Sequence, residues 1–197
     1  MKTFLATIKT FTFIIAVFSI HLDCVANKGN FHVVSQLKQP FMTGLDVLLE
    51  NDCSYLEGKK VGLITNQTGV TSKMVQNIDL FIKSENVDLK AIFSPEHGLF
   101  GSVSAGEKIY NKADSIYGVP LYSLYGNNKK PNQNMLKNLD ILVFDIQDIG
   151  IRSYTYISTM GLAMEAAQEG GLEFMVLDRP NPLGLKKIEG NILSLSF

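Results

Sequence analysis

The stretch "DILVFDIQDIG", residues 140–150, predicts a buried β-strand that ends in a polar turn. Its apolar run is nearly continuous, as in a strand that is covered on both faces of a parallel sheet. Three more stretches follow the same plan: "KKVGLITNQTG", "LKAIFSPEHG" and "LEFMVLDRPNPLG". Helical patterns such as "VQNIDLFIKS" and "YTYISTMGLAMEAAQEGG" separate them. The alternation predicts an α/β fold with a doubly wound, mostly parallel sheet and helices on both faces.

The overall composition indicates an ordinary globular domain and argues against several classes of protein. The 197 residues are 46% hydrophobic and 19% charged, and the net charge is -1 without a basic stripe. This balance disfavours nucleic acid as a partner. Neither GxGxxG nor GxxxxGK(S/T) follows the first strand, and GxSxG is absent, which disfavours nucleotide binding and serine hydrolase chemistry. We expect no cofactor.

A metal centre is not expected either. Beyond residue 26, the histidines are His32 and His97, which excludes a multi-histidine site. Asp145 and Asp148 could offer carboxylates to magnesium, but Asp145 shares a strand face with Gln147 rather than with Asp148. The sequence therefore predicts chemistry that side chains carry without a metal.

The first 26 residues have the features of a secretory signal peptide. Lys2 and Lys9 precede an apolar run over residues 11–20, and the small Ala26 lies at a plausible cleavage position. The run is too short to span a bilayer as a stable helix. We expect an exported protein, periplasmic or extracellular, with no membrane span in the mature chain. A lipoprotein signal at Cys24 is the alternative, although the residues before Cys24 are bulkier and more charged than such signals have.

The remainder divides into two parts. Residues 27–42 are interpreted as an N-terminal tether and residues 43–197 as the folded domain, whose first helix Thr43 would cap. After removal of the signal peptide, Cys53 is the only cysteine, so no internal disulfide can form. Cys53 is predicted to be a structural thiol in the packed interior.

Polar side chains cluster where the predicted strands end. Ligands of doubly wound sheets bind outside the carboxyl ends of the strands, so these positions predict a binding cleft. Most of the strand ends carry several hydrogen-bonding groups. They are Thr65, Asn66 and Gln67; Glu96 and His97; Tyr125; Gln147 and Asp148; and Asp178, Arg179 and Asn181.

Two of the 18 basic residues are arginines, and both follow predicted strands. They are Arg152 and Arg179. A guanidinium group binds a carboxylate or phosphate through two parallel hydrogen bonds, which lysine cannot do. Two interpretations stay open: recognition of an anionic group of the substrate, or a structural salt bridge to Asp145 or Asp178.

The stretch "FSPEHGLFG", residues 93–101, presents a carboxylate and an imidazole at the end of a strand. Pro95 stiffens the turn, and Gly98 and Gly101 allow the backbone to approach a ligand closely. Glu96 is therefore a candidate proton donor, with His97 orienting it or binding substrate. The alternative is an ordinary solvated loop.

Seven motifs together resemble the exo-β-N-acetylmuramidase (NamZ-type) family of bacterial cell-wall glycosidases. They are "GLDVLL", "GKKVGLITNQTG", "FSPEHGLFG", "AGE", "LYSLYG", "DILVFDIQDIGIRSYTYISTM" and "VLDRPNPLG", in this order over residues 43–190. The resemblance implies a Rossmann-like domain, and release of N-acetylmuramic acid from the non-reducing ends of peptidoglycan fragments. It also implies that Glu96 is the catalytic acid.

The resemblance further implies which residues line the cleft for a peptidoglycan-derived sugar. Beside His97 they are Asn66, Gln67, Glu107, Gln147, Asp148, Arg152, Tyr154, Tyr156, Asp178, Arg179 and Asn181. The lactyl carboxylate of N-acetylmuramic acid suits an arginine. Glu107, Asp148 and Asp178 are candidates for a second carboxylate, unless the acetamido group of the sugar is the nucleophile. Tyr154 and Tyr156 could contact sugar or belong to the core.

Members of the family are about twice as long and have a second, C-terminal domain. We expect that domain to be absent here and the isolated chain to have weak or no activity. Two alternatives to an enzyme therefore stay open: a non-catalytic module that binds muropeptide sugars, and an inactive truncated family member. The sequence gives no indication of the oligomeric state.

Overall fold

The computed structural model describes residues 41–101, 114–192 and 194. The predicted signal peptide, the tether up to residue 40 and Glu107 lie outside these residues. From Met42 onward, the described residues belong to one compact unit. No helix in this part of the chain is long and apolar enough to cross a membrane.

Six strands form a single sheet in the order β3-β4-β2-β1-β5-β6. All neighbouring strands are parallel except β3, which pairs antiparallel with β4. The chain moves outward from β1 through β2 to β4 and then crosses to β5 and β6. This confirms the α/β, doubly wound, Rossmann-like fold. The strands are β1 Lys60–Thr65, β2 Asp88–Ser94, β3 Asp114–Ile116, β4 Val119–Ser123, β5 Ile141–Asp145 and β6 Glu173–Val176.

Helices cover both faces of the sheet because successive side chains of each buried strand point to opposite faces. In β5, Ile141 and Val143 face one hydrophobic core, and Leu142 and Phe144 face the other. This division explains why the apolar run of β5 is continuous rather than alternating. The helices are α1 Gly44–Glu50, α2 Asn77–Lys83, α3 Gln133–Leu136 and α4 Tyr156–Gly170, with a 3-10 turn at Ser54–Leu56.

The two cores differ in how closely the helices approach. Phe81 of α2 and Leu45 of α1 fill the first core. In α4, Ala163, Ala166 and Ala167 are buried on the second core. Their small side chains let the helix lie close to the sheet, and this fixes where the N-terminus of α4 emerges.

The interior also contains Cys53, which is buried, as the sequence predicted. Burial raises the pKa of its thiol, with a hydrogen bond from Ser84 acting in the opposite direction. A thiol with a raised pKa is a poor nucleophile, so Cys53 has a packing role.

Helix α1 begins with the predicted cap. The Thr43 hydroxyl accepts the Asp46 N–H at 3.2 Å, and Asp46 Oδ2 accepts the Thr43 N–H at 3.0 Å. Asp46 Oδ1 also accepts the Ser72 N–H at 3.1 Å. Burial acts to raise the pKa of Asp46, but the hydrogen bonds from Thr43 and Ser72 outweigh it, and the pKa lies below its ordinary value. Asp46 therefore joins α1 to the loop that follows β1.

We expect Asp46→Asn to lower the free energy of unfolding by about 1 kcal/mol at pH 7, the usual cost of a lost helix cap. Because folding lowers the pKa of Asp46, its contribution is complete above the unfolded value of about 3.9 and is lost as the pH falls through the lower folded value. Urea unfolding at pH 7 and pH 3 measures this. Asp88→Asn is the control, since its exposed ion pair with Lys90 contributes little. An equal effect of Asp46→Asn at both pH values would contradict the assignment.

Candidate active site

A buried ion pair lies where β1 and β5 end. The Asp145 carboxylate is fully buried, and its Oδ1 accepts the Arg179 Nε–H at 2.7 Å, with Arg179 Nη2 at 2.6 Å from the same oxygen. Asn77 Nδ2 donates to Asp145 Oδ2 at 2.7 Å and to the Thr65 hydroxyl at 2.8 Å. Burial raises the pKa of Asp145, and the Arg179 charge and the Asn77 amide oppose that effect.

Arg179 thus forms the salt bridge that the sequence left open as an alternative to substrate recognition. Its Nη1 donates to the Val70 carbonyl at 3.0 Å, and the side chain is 5% exposed. A guanidinium group that is buried on Asp145 and Val70 holds the loops after β1 and β6 together. Substrate binding by Arg179 stays a prediction that this arrangement does not favour.

Several of the other predicted site residues make hydrogen bonds within or between the loops that follow the strands. Asn66 Oδ1 accepts hydrogen bonds from the Thr68 N–H at 2.9 Å and the Thr68 hydroxyl at 2.6 Å. Gln147 Nε2 donates to the Pro180 carbonyl at 2.9 Å. Asp148 Oδ1 accepts the Gly150 N–H at 2.7 Å. These side chains shape the loops after β1, β5 and β6.

The predicted site residues Arg152, Asp178 and Asn181 also form hydrogen bonds with the backbone of nearby loops. The Arg152 guanidinium donates to the Asn191 carbonyl at 2.7 Å. Asp178 Oδ1 accepts the Arg179 N–H at 2.9 Å, and Asn181 Oδ1 accepts the Leu183 N–H at 3.0 Å. None of these residues lines the clefts described below.

Glu96 is presented by a tight turn directly after β2. The Gly98 N–H donates to the Pro95 carbonyl at 3.1 Å, which closes the turn, and His97 has a φ of 70°. A side chain at positive φ costs of order 1 kcal/mol or more, and such strain is concentrated at functional sites. The Glu96 side chain is half-buried. The Thr155 hydroxyl donates to its Oε2 at 3.1 Å.

Gly101 lies against the side chain of Gln67. A Cβ at this position would lie 2.7 Å from Gln67 Nε2. The glycine therefore makes room for the Gln67 side chain, and the turn after β2 can lie against the loop after β1.

Two clefts meet at Glu96, and Glu96 and Thr155 line both of them. The first, here the tyrosine cleft, has a volume of about 270 Å³, and the second, here the lysine cleft, about 380 Å³. The tyrosine cleft is also lined by His97, Ser153, Tyr154 and Tyr156. The lysine cleft is also lined by Leu124, Tyr125, Lys129, Ser158, Thr159 and Leu162.

The two tyrosines of the tyrosine cleft have different environments. Tyr154 is 42% exposed, whereas Tyr156 is buried and packs in the second core. Their rings meet edge to face with centroids 5.6 Å apart. Burial raises the pKa of Tyr156, Asn66 acts to lower it, and the Glu96 charge adds to the increase. Tyr156 thus belongs both to the second core and to the wall of the tyrosine cleft.

The structure brings together only part of the predicted set. His97, Tyr154 and Tyr156 line the tyrosine cleft with Glu96, whereas Asn66 does not. Thr155, Ser153, Lys129 and Ser158 line a cleft but were not predicted as site residues from the sequence. A Thr at the start of a predicted helix could have been noticed, whereas Lys129 carries no signal that separates it from a solvated loop lysine. Among the described residues, no three His, Cys, Asp or Glu side chains lie together as a metal site would require.

The fold and the site thus define a Rossmann-like α/β protein with a half-buried glutamate between two clefts at the strand ends. The family model described as "Exo-beta-N-acetylmuramidase NamZ, N-terminal" matches residues 61–197. The chain belongs to this family.

Individual relatives agree with this assignment. The chain is 52% identical over 160 residues to the peptidoglycan beta-N-acetylmuramidase NamZ of Bacillus subtilis (strain 168), which is 81% of this chain and 39% of the relative. It is similar to crystal structures of two DUF1343 family proteins from Bacteroides fragilis NCTC 9343. The first has a TM-score of 0.70 and 54% sequence identity, and the match covers 79% of this chain and 38% of that chain. The second has a TM-score of 0.58 and 35% sequence identity, and the match covers 73% of this chain and 36% of that chain. The chain thus spans about two fifths of the length of these relatives.

The two arginines give a test of the structural assignment. We expect Arg179→Ala to lower the free energy of unfolding by about 3–5 kcal/mol, because it leaves the Asp145 carboxylate buried without its partner. Arg152→Ala, at an exposed arginine, should change it by less than about 0.5 kcal/mol. Urea unfolding followed by circular dichroism compares the two variants. Similar stability of Arg179→Ala and the wild type would show that the buried pair is not structural.

Proposed function

We propose that the chain hydrolyses the β-glycosidic bond of an N-acetylmuramic acid residue at the non-reducing end of a peptidoglycan fragment, with Glu96 as the general acid. The observation that carries the proposal is the position of the Glu96 carboxyl group. It is half-buried, accepts a hydrogen bond from Thr155, and lies where two clefts meet. A bond that joins two sugars could therefore lie across Glu96, with one sugar in each cleft.

The name of the Bacillus subtilis relative supports the same reaction and substrate class. In the reaction, the protonated Glu96 would donate its proton to the glycosidic oxygen as the bond to the leaving sugar breaks. Glu96 is the carboxylate that lines either cleft among the described residues. The group that assists at the anomeric carbon would be the acetamido group of the substrate or a carboxylate such as Glu107, which lies outside the described residues.

Thr155 would act as a positioning residue. It is the residue before α4, yet its side chain does not cap the helix. The hydroxyl donates to Glu96 instead and holds Oε2 in place.

Export is part of the proposal, because peptidoglycan lies outside the cytoplasmic membrane. The features of residues 1–26 predict cleavage after Ala26. Expression of the full chain in a bacterial host, followed by mass spectrometry of the exported product, tests this. A product that begins at Asn27 supports cleavage, a lipid on Cys24 supports the lipoprotein alternative, and an uncleaved cytoplasmic chain contradicts export.

We expect Glu96→Gln to lower kcat for a para-nitrophenyl β-N-acetylmuramic acid glycoside by about 10²–10⁴-fold, the usual contribution of a general acid. Release of para-nitrophenol, measured for the purified variant and wild type, checks this. Glu50→Gln, at an exposed position of α1, is the matched control and should leave kcat unchanged. Absence of hydrolysis by folded wild-type chain would overturn the enzyme proposal. Sugar binding without turnover would then favour a binding module.

We expect Thr155→Val to lower kcat about tenfold with little change in KM, because the lost hydrogen bond orients the acid rather than the sugar. It should also shift the basic limb of the pH–rate profile, where a general acid loses its proton, and a purely structural change would leave that limb in place. Thr155→Ser keeps the hydroxyl and should restore most of the activity. Equal effects of Val and Ser would argue against the positioning role.

A further inference from the structure

The lysine cleft contains one cation and one carboxylate, Lys129 and Glu96, among the described residues that line it. Lys129 lies in the loop after β4, whose first residue is anchored by a hydrogen bond from the Leu124 N–H to the Ser94 carbonyl at 2.8 Å. The same loop brings Tyr125 to the cleft. The remaining wall is the start of α4, so the lysine faces a rigid helix across the cleft.

Two adjacent lysines of this loop have different partners. Lys130 forms ion pairs with Glu165 at 3.1 Å and Glu169 at 2.8 Å, both in the C-terminal half of α4. In the part of the chain that the structure describes, no carboxylate forms such a pair with Lys129. Lys130 thus fixes the loop to the helix, and Lys129 is left to interact with whatever enters the cleft.

The start of α4 adds positive potential to the same cleft. The N–H groups of its first turn have no acceptors within the helix, and the positive end of the helix dipole lies there. The Thr155 side chain does not cap the helix and so does not occupy these groups. Ser158 of the first turn lines the lysine cleft and offers a hydroxyl group.

The arginines do not supply a cation to either cleft. Arg179 is buried on Asp145, and Arg152 donates to the Asn191 carbonyl. Recognition of a substrate carboxylate, which was one of two interpretations of the arginines, therefore has another candidate. Lys129 is the cation that lines a cleft containing Glu96, within the described residues.

Resting on the proposed function, we infer that the lysine cleft is the subsite for the sugar that carries the carboxylate, and that Lys129 binds its lactyl group. Its volume of about 380 Å³ falls in the range of small-molecule sites, roughly 300–1,000 Å³. The tyrosine cleft then takes the leaving sugar, whose apolar face can pack on the exposed ring of Tyr154. Glu96 lies between the two sugars, beside the oxygen that it protonates.

Lys129 is thus a specificity-determining residue. N-Acetylmuramic acid differs from N-acetylglucosamine by the lactyl ether alone. A cation that binds the lactyl carboxylate therefore favours the first sugar over the second. The hydroxyl of Ser158 and the helix N-terminus supplement the lysine. A neutral sugar would gain nothing from Lys129 and would leave its charge in water.

The test compares two substrates in one variant. For wild type and Lys129→Met, kcat/KM is measured with the para-nitrophenyl β-glycosides of N-acetylmuramic acid and of N-acetylglucosamine. We expect Lys129→Met to lower kcat/KM for the N-acetylmuramic acid glycoside by about 10- to 100-fold, mostly through a higher KM, as for a lost hydrogen bond to a charged group. The kcat/KM for the N-acetylglucosamine glycoside should not change. Because the readout is a ratio, a partly misfolded variant does not imitate the result.

Lys130→Met is the matched control, one residue away and outside the cleft. It should lower stability through its lost ion pairs but leave the ratio of the two substrates unchanged. Lys129→Arg should keep most of the preference for the charged sugar. In the wild type, added salt should raise KM for the charged sugar more than for the neutral one, because an exposed charge is screened.

Binding separates failure of this inference from failure of the proposed function. The methyl β-glycosides of the two sugars are titrated into the same proteins and followed by NMR. Binding of the charged sugar that depends on Lys129, without turnover, would support the lysine subsite and contradict the hydrolase. Turnover that depends on Glu96 with an unaltered substrate ratio in Lys129→Met would overturn the lysine subsite alone. Neither binding nor turnover would overturn both.

Discussion

The buried carboxylate of Asp145 is the constraint on which the rest of the site depends. A carboxylate removed from water must be paired and hydrogen-bonded, or it destabilises the fold by several kcal/mol. Arg179 and Asn77 meet this requirement, and they come from the loop after β6 and the start of α2. Gly69 lets the loop after β1 close over the network, since a Cβ there would lie 2.2 Å from the Thr65 hydroxyl. The Asp145 carboxylate thus holds the loop after β1, the start of α2 and the loop after β6 in place.

This network also determines where a ligand can enter. In a doubly wound sheet the usual crevice lies outside the point where the strand order reverses, which here is between β1 and β5. The ion pair and the loop contacts of Gln147 and Asp148 occupy that position. The open clefts are displaced to the ends of β2 and β4, where the N-terminus of α4 forms the opposite wall.

The sequence predicted the sheet better than it predicted which side chains contact one another. Continuous apolar runs and helical periods follow from burial alone, so the parallel strands and their helices could be inferred. The strand β3 was not predicted, because a segment of three residues is too short to carry a periodic signal. The burial of Arg179 and the position of Lys129 on a cleft could not be inferred from composition, because both depend on which loops meet in space.

The position of Glu96 depends on a strained turn and on the packing of α4. Its turn holds His97 at a φ of 70°, a conformation that a glycine would adopt at less cost. The chain keeps a histidine there, with its ring on the tyrosine cleft. The small alanines of α4 set the helix close to the sheet, and this brings the Thr155 hydroxyl within 3.1 Å of the carboxylate. The position of the Glu96 carboxylate is therefore fixed from two sides, by a strained turn and by the packing of a helix that contributes no carboxylate of its own to either cleft.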